Sequence, residues 1–208
     1  LFTVTTMMHI YILDIGYGNL KSLHRFFSAF GVVSYLYTPS DFSPKPDEPS
    51  VIVLPGVGSF SSASITLKSK GFISFFSSLL GNPKVFVIGI CLGMQLFATF
   101  GYEGGCSKGL NLISGSVIPV TSSREMIMGW QRLNNLSPLL RDMSPFNVIQ
   151  PFFYFAHSFK LTLEDPSLCI AYSDYLNYPS IVFNSNVLGL QFHPEVTHTN
   201  QGELIIDN

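Results

Sequence analysis

The chain has 208 residues and a net charge of −2, with 47% hydrophobic and only 12% charged residues. That is long enough for one domain with a sizeable core, and too evenly charged for a nucleic-acid binder, which carries a basic excess. The charged share is about half the usual one, so the chain either buries much of itself or keeps an apolar face for a partner.

Residues 1–8 contain no Lys or Arg, so they lack the charged n-region of a secretory signal and read as an extension ahead of one domain over 9–208. His9 to Ile15 reads as a buried strand. The turn Gly16-Tyr17-Gly18-Asn19 follows, then a helix over 20–30, with Leu20, Leu23, Phe27 and Phe30 on one face and Gly31 as its stop. The strand–turn–helix is a poor dinucleotide site, because Lys21 stands where a third glycine belongs and no acid lies near position 36. Val32 to Tyr37 predicts a second strand, and four prolines between Thr38 and Ser50 predict a surface loop. Val51 to Leu54 predicts a third strand, running into Pro55-Gly56-Val57-Gly58-Ser59-Phe60, where glycines let backbone N–H groups approach a ligand. A helical stretch with Phe72, Phe75, Phe76 and Leu79 on one side ends at Gly81-Asn82-Pro83. This alternation of β and α predicts a parallel sheet covered by helices on both faces.

Val85 to Ile90 is a short apolar run suited to a strand buried on both faces, and 92–100 suits a helix with Leu92, Leu96 and Phe100 aligned. Cys91 stands at the junction with Gly89 and Gly93 on either side. That is the pattern of a nucleophile elbow, with sulfur in place of a hydroxyl. A thiol at a helix N-terminus is favoured as thiolate. Taken alone, Cys91 also reads as an inert core cysteine. The stretch is too short and too interrupted for a membrane span. Three cysteines, Cys91, Cys106 and Cys169, are an odd count with no C-x-x-C pair, which fits a reducing, cytoplasmic setting.

From Leu110 short strand-like runs dominate: 115–120, 152–156, 169–172, 181–183 and 187–192, with Asn184-Ser185-Asn186 as a hairpin turn. They predict antiparallel additions rather than a second domain, and 201–206 predicts the start of a last helix. The strand over 187–192 delivers His193 at its end. In extended backbone Glu195 would face the same side, placing a carboxylate against one ring nitrogen. His193-Pro194-Glu195 alone also reads as a surface turn. Convergence of Cys91 and His193 at the carboxyl ends of strands is what favours a site. Such a set performs nucleophilic attack by sulfur on an amide or ester carbonyl. The oxyanion would be held by the Leu92 N–H and by a glycine-rich backbone such as Gly56-Val57-Gly58, and His193 would act as acid, then base.

Gly89-Ile-Cys91-Leu-Gly-Met-Gln95 together with Gly189-Leu-Gln-Phe-His193-Pro-Glu195 resembles the class I (triad) glutamine amidotransferases, over nearly the whole chain. Asp14-Ile-Gly-Tyr-Gly-Asn-Leu20, Pro55-Gly-Val-Gly-Ser-Phe60, Met128-Gly-Trp130 and Tyr154-Phe-Ala-His-Ser158 resemble the glutaminase branch that serves imidazole glycerol phosphate synthases. The resemblance implies an α/β, three-layer, flavodoxin-like fold, with a mostly parallel central sheet, helices on both faces and an added antiparallel sheet. It implies a triad of Cys91, His193 and Glu195, an oxyanion hole at Gly58 and Leu92, and glutamine contacts from Gly56, Val57, Gln95, His157, Ser158 and Phe159. It implies no cofactor and no metal. It implies a (β/α)8-barrel cyclase partner, receiving ammonia and facing Gly16, Tyr17, Gly18, Asn19, Met128 and Trp130. Ile127 and Gln131 depart from the branch's usual His and Asn at positions the resemblance puts near that interface. Alternatives are a related amidotransferase feeding surface-sugar amidation or a GMP-synthetase-like enzyme, a stand-alone cysteine hydrolase, and a non-catalytic binding subunit.

Overall fold

Runs of β-branched and aromatic residues build the middle of the molecule. The computed structural model describes residues 9–38, 49–79, 81–123, 125–141 and 152–196. The first eight residues, most of the proline-bearing loop and the helix expected over 201–206 lie outside the described residues. In chain order the first half comprises β1 (His9–Leu13), α1 (Leu20–Ala29), β2 (Ser34–Tyr37), β3 (Ser50–Leu54), α2 (Phe60–Ser69), α3 (Phe72–Leu79), β4 (Val85–Ile90) and α4 (Leu92–Gln95). The second half comprises β5 (Phe100–Gly101), β6 (Ser107–Lys108), β7 (Gly115–Pro119), β8 (Ile127–Gln131), β9 (Leu133–Asn134), α5 (Pro138–Arg141), β10 (Phe153–His157), β11 (Phe159–Leu163), β12 (Cys169–Ser173), β13 (Pro179–Asn184) and β14 (Val187–Leu190).

An eight-stranded sheet runs β2-β1-β3-β4-β14-β13-β12-β9. Its first five strands pair in parallel, and β13, β12 and β9 extend it antiparallel. Two small sheets, β10-β8 and β11-β7-β5-β6, stand beside it. The strand alternation sorts the core into two layers. Ile10, Ile12, Val51, Val53 and Ile90 pack with Leu23 of α1 on one face. Leu13, Ile52, Leu54, Val85 and Val87 pack with Phe60 and Leu67 of α2 and Phe72 and Phe76 of α3 on the other. Each such fully buried side chain contributes about 1.5–3 kcal/mol of transfer free energy.

Local chemistry sets the helix limits. The Asn19 side chain accepts the Ser22 N–H and caps α1, and the Ser59 hydroxyl does the same for Ser62 at α2. The single helical stretch expected before Gly81 is two helices, because Gly71 turns the chain at φ +76°. The largest departure is at 92–100. Only Leu92–Gln95 is helical, and Phe100 already opens β5. A returning segment takes the carbonyls that a longer helix would need. Leu110 N–H bonds Leu96 O, Asn111 N–H bonds Ala98 O, and Leu112 and Ile113 N–H both bond Phe97 O. The strands β5, β6, β8, β9 and β11 also went unread in the sequence. Among the described residues no helix is long and apolar enough to cross a membrane.

Candidate active site

β4 and β14 lie side by side, with Ile90 paired to Leu190, so the chain leaves both strands at the same rim. At the end of β4, Cys91 adopts φ +54°, ψ −109°, a backbone conformation that costs a non-glycine residue about 1–3 kcal/mol. Its N–H bonds Leu190 O at 2.7 Å, which ties the bend to the neighbouring strand. The flanking glycines are steric requirements. A Cβ on Gly89 would fall 2.5 Å from the Phe97 ring, and one on Gly93 would fall 1.9 Å from Leu54 O. The helix expected behind the thiol is one turn long, so the backbone bend rather than a long dipole defines this position.

At the end of β14 the chain passes Gln191 and Phe192 to His193, whose N–H bonds Tyr154 O of β10 at 2.9 Å. Residues 193–196 then close a turn through Val196 N–H to His193 O, so the link to Glu195 is a turn and not the extended backbone expected. The contact itself is present, with His193 Nδ1 2.9 Å from Glu195 Oε1. The other carboxylate oxygen of Glu195 is buried with no hydrogen-bond partner. Burial works against charge on the His193 ring, but interactions with the Cys91 sulfur and with Glu195 outweigh it and push its pKa up to about 10. Both partners thus favour the protonated form of the ring.

Cys91 and His193 face a cleft of about 530 Å³. Val57, Gly58, Leu92, Gln95, His157, Ser158 and Phe159, all named from sequence, line it as well. Glu195 stands behind His193 rather than in the wall, and Gly56 is a packing residue: a Cβ on it would lie 2.8 Å from Leu92 Cβ. That close fit sets the Gly56-Val57-Gly58 backbone against Leu92, the residue after Cys91. Gly58 has φ +109°, a conformation only glycine adopts easily. The turn at 16–19 sits outside the cleft against the same loop, with Gly18 packed on Pro55 and Tyr17 beside Gly58. Met128 is 62% exposed, while Trp130 is half-buried with its ring 5.5 Å from that of Tyr154. Ile127 and Gln131, the two departures, point inward instead. Ile127 is buried in the core under the antiparallel strands, and Gln131 Oε1 lies within hydrogen-bonding reach of the Ser173 and Tyr178 hydroxyls.

The sequence reading missed Ser59, Glu103, Met126 and Ala156 in the cleft wall, and Gln191 behind it. Glu103 is the informative one, a carboxylate that accepts the Phe60 N–H at 2.6 Å while lining the cleft. A single acid beside Gly104-Gly105, shortly after the Cys91 motif, was its signal. Gln191 lies just past the end of β14, two residues before His193. Its Nε2 lies 3.9 Å from Cys91 Sγ, and its Oε1 accepts a bond from Gln95 Nε2 at 3.2 Å.

The family model for glutamine amidotransferase class-I matches residues 11–208. The chain belongs to the class-I glutamine amidotransferase family. The amidotransferase is 36% identical over 196 residues to the imidazole glycerol phosphate synthase subunit HisH of Lactococcus lactis, a match covering 91% of this chain and 92% of the relative. It is 36% identical to the protein of the same name from Desulfitobacterium hafniense, over 88% of this chain and 85% of the other. Among solved structures it superposes on PurLQS from Thermotoga maritima with TM-score 0.71 and 19% identity, over 91% of this chain and 88% of that one. It also superposes on a glutamine amidotransferase from Thermotoga maritima with TM-score 0.63 and 18% identity, over 91% and 77%. These two likenesses bear on the fold, which is the α/β amidotransferase fold with its antiparallel additions.

Proposed function

We propose that this amidotransferase is the cytoplasmic glutaminase subunit of an imidazole glycerol phosphate synthase. It hydrolyses glutamine to glutamate and passes the ammonia to a (β/α)8-barrel cyclase in histidine biosynthesis. The carrying observation is the bent Cys91 and the His193 ring backed by Glu195, both facing one cleft. In this reading the Cys91 thiolate attacks the glutamine carboxamide. The carbonyl oxygen gathers charge and is held by the N–H groups of Gly58 and Leu92. His193 gives its proton to the departing nitrogen, which leaves as ammonia. His193 then takes a proton from water as the water attacks the thioester, and glutamate leaves. Glu103 supplies the counter-charge for the ammonium end of the amino acid, and the Ser158–Phe159 segment clasps its carboxylate end.

Exposed apolar side chains support a partner face. Val57 and Met126, large apolar side chains that line the cleft, are left 47% and 58% exposed, and Met128 on β8 is 62% exposed. Ammonia released to water is protonated and stops being a nucleophile, so a sealed partner face has a chemical purpose. The departures at 127 and 131 face the interior, so they leave this surface unaltered. The test is amide-labelled glutamine supplied to the chain with a barrel cyclase and its ribosyl substrate. The parent chain should transfer label into the cyclase product, and Cys91→Ala should abolish both transfer and glutamate release. Glutamate release by Cys91→Ala at the parent rate would overturn the reading.

A further inference from the structure

Counting donors and acceptors behind the cleft fixes every proton in one buried chain of groups. The Phe159 carbonyl receives two bonds at 2.8 Å, from Gln95 Nε2 and from the His157 ring at Nδ1. A carbonyl only accepts, so His157 carries its proton on Nδ1. Burial, opposed by that backbone bond and helped by nearby His193, lowers the ring's pKa to about 4, so it is neutral and Nε2 is bare. The bond at 3.0 Å between His157 Nε2 and Tyr178 Oη must therefore be donated by the tyrosine. Burial likewise pushes the Tyr178 phenol up to about 12, so it stays a donor. Its one proton is then spent, and Gln131 Oε1 takes its hydrogen from Ser173 at 2.8 Å. One residue earlier, Ser158 O accepts the Val120 N–H at 2.9 Å. Both carbonyls of the segment that lines the cleft are thus turned inward and occupied.

That arrangement matters for an anionic ligand group. A carbonyl oxygen turned into the cleft would repel a carboxylate, whereas backbone N–H groups attract one. We propose that His157 and Tyr178 are positioning residues for glutamine: together they hold the Phe159 carbonyl out of the cleft, so that the Ser158–Phe159 backbone is free to receive the ligand's α-carboxylate. The inference rests on the glutaminase reading and extends it to two residues that touch no substrate through a polar atom. Tyr178 reaches the site from the turn before β13, so the antiparallel extension of the sheet braces the substrate clasp. The resemblance implies a glutamine contact from His157; the ring lines the cleft, and both its nitrogens are engaged within the protein.

Tyr178→Phe removes the donated proton and keeps the ring packed edge-on against His157 and Phe155. Two alkylating probes separate positioning from chemistry in the full chain. 6-Diazo-5-oxo-L-norleucine carries the amino-acid head of glutamine, and iodoacetamide lacks it. The variant should label Cys91 about tenfold more slowly with the first and at the parent rate with the second. With the cyclase present, KM for glutamine should rise about tenfold, with kcat within about twofold. Parent rates with both probes, or equal loss with both, would overturn the proposal. A parent chain that prefers neither probe would instead count against the glutaminase reading. Nitrogen-15 NMR of the parent chain needs no variant: His157 should show a neutral ring protonated at Nδ1, and a proton at Nε2 would overturn the proposal.

Discussion

Cys91 is bent to φ +54° and Glu195 keeps one buried carboxylate oxygen without a partner, so the two ends of the proposed triad both carry local cost. Such cost persists only where the surroundings over-determine it. Here the Leu190 carbonyl anchors the Cys91 bend and the turn over 193–196 anchors Glu195. In the proposed triad the carboxylate orients the His193 ring and stabilises its charge. Glu195→Gln keeps the shape and removes the charge, so the imidazolium is less favoured and its ring orientation is less defined. In serine triads the matching change lowers kcat by about 10⁴-fold. A thiol is a stronger acid than a hydroxyl and depends less on its base, so about 10²-fold or more is expected here, with KM within about threefold. Steady-state glutamine hydrolysis measures both, and a kcat within twofold of the parent would remove Glu195 from the chemistry.

At the scale of elements, the sheet was readable because its strands are short, β-branched and separated by helices of clear period. The shortened α4 was not, because its end depends on bonds from 110–113, and no local pattern reports a long-range competitor for a carbonyl. Strands β8 and β11 were missed for a related reason: each pairs with a distant partner, β10 and β7 respectively, that supplies half of what makes it a strand. The elbow, by contrast, is written in two glycines, and its reason is steric. Gly93→Ala would set a methyl 1.9 Å from Leu54 O, against backbone that cannot swing aside. Overpacking of this kind costs about 1–3 kcal/mol, occasionally more. Gly31→Ala is the comparison: it has open space around the new methyl but a φ of +69°, so about 1 kcal/mol is expected. Urea midpoints of the two variants should fall in that order, and Gly93→Ala should also slow Cys91 labelling, which Gly31→Ala should leave unchanged.

Across the whole molecule the cleft joins the parallel half, which brings Cys91 and His193, to the antiparallel half, which brings His157 and Ser158. The motifs named Cys91, His193 and seven other residues that line the cleft. They were silent on Glu103 and on the buried chain through Tyr178, because a supporting group is identified by what it touches and not by its own spacing. Two histidines of that shared region respond to pH in opposite directions. His157 is held below its ordinary value, chiefly by burial, so its contribution to stability is complete above about pH 6.5 and is lost as pH falls through about 4. His193 is held above its ordinary value despite burial, by Cys91 and Glu195, so its contribution is complete below about pH 6.5 and is lost as pH rises through about 10. Urea midpoints of the parent, His157→Gln and His193→Gln, taken from pH 4 to pH 10, separate the two. The gap between parent and His157→Gln should close on the acid side, and the gap between parent and His193→Gln should close on the alkaline side. A His193→Gln gap that instead widened towards pH 10 would mean that the ring is neutral in the folded chain, and His193 would then enter the reaction as a base without a proton to give.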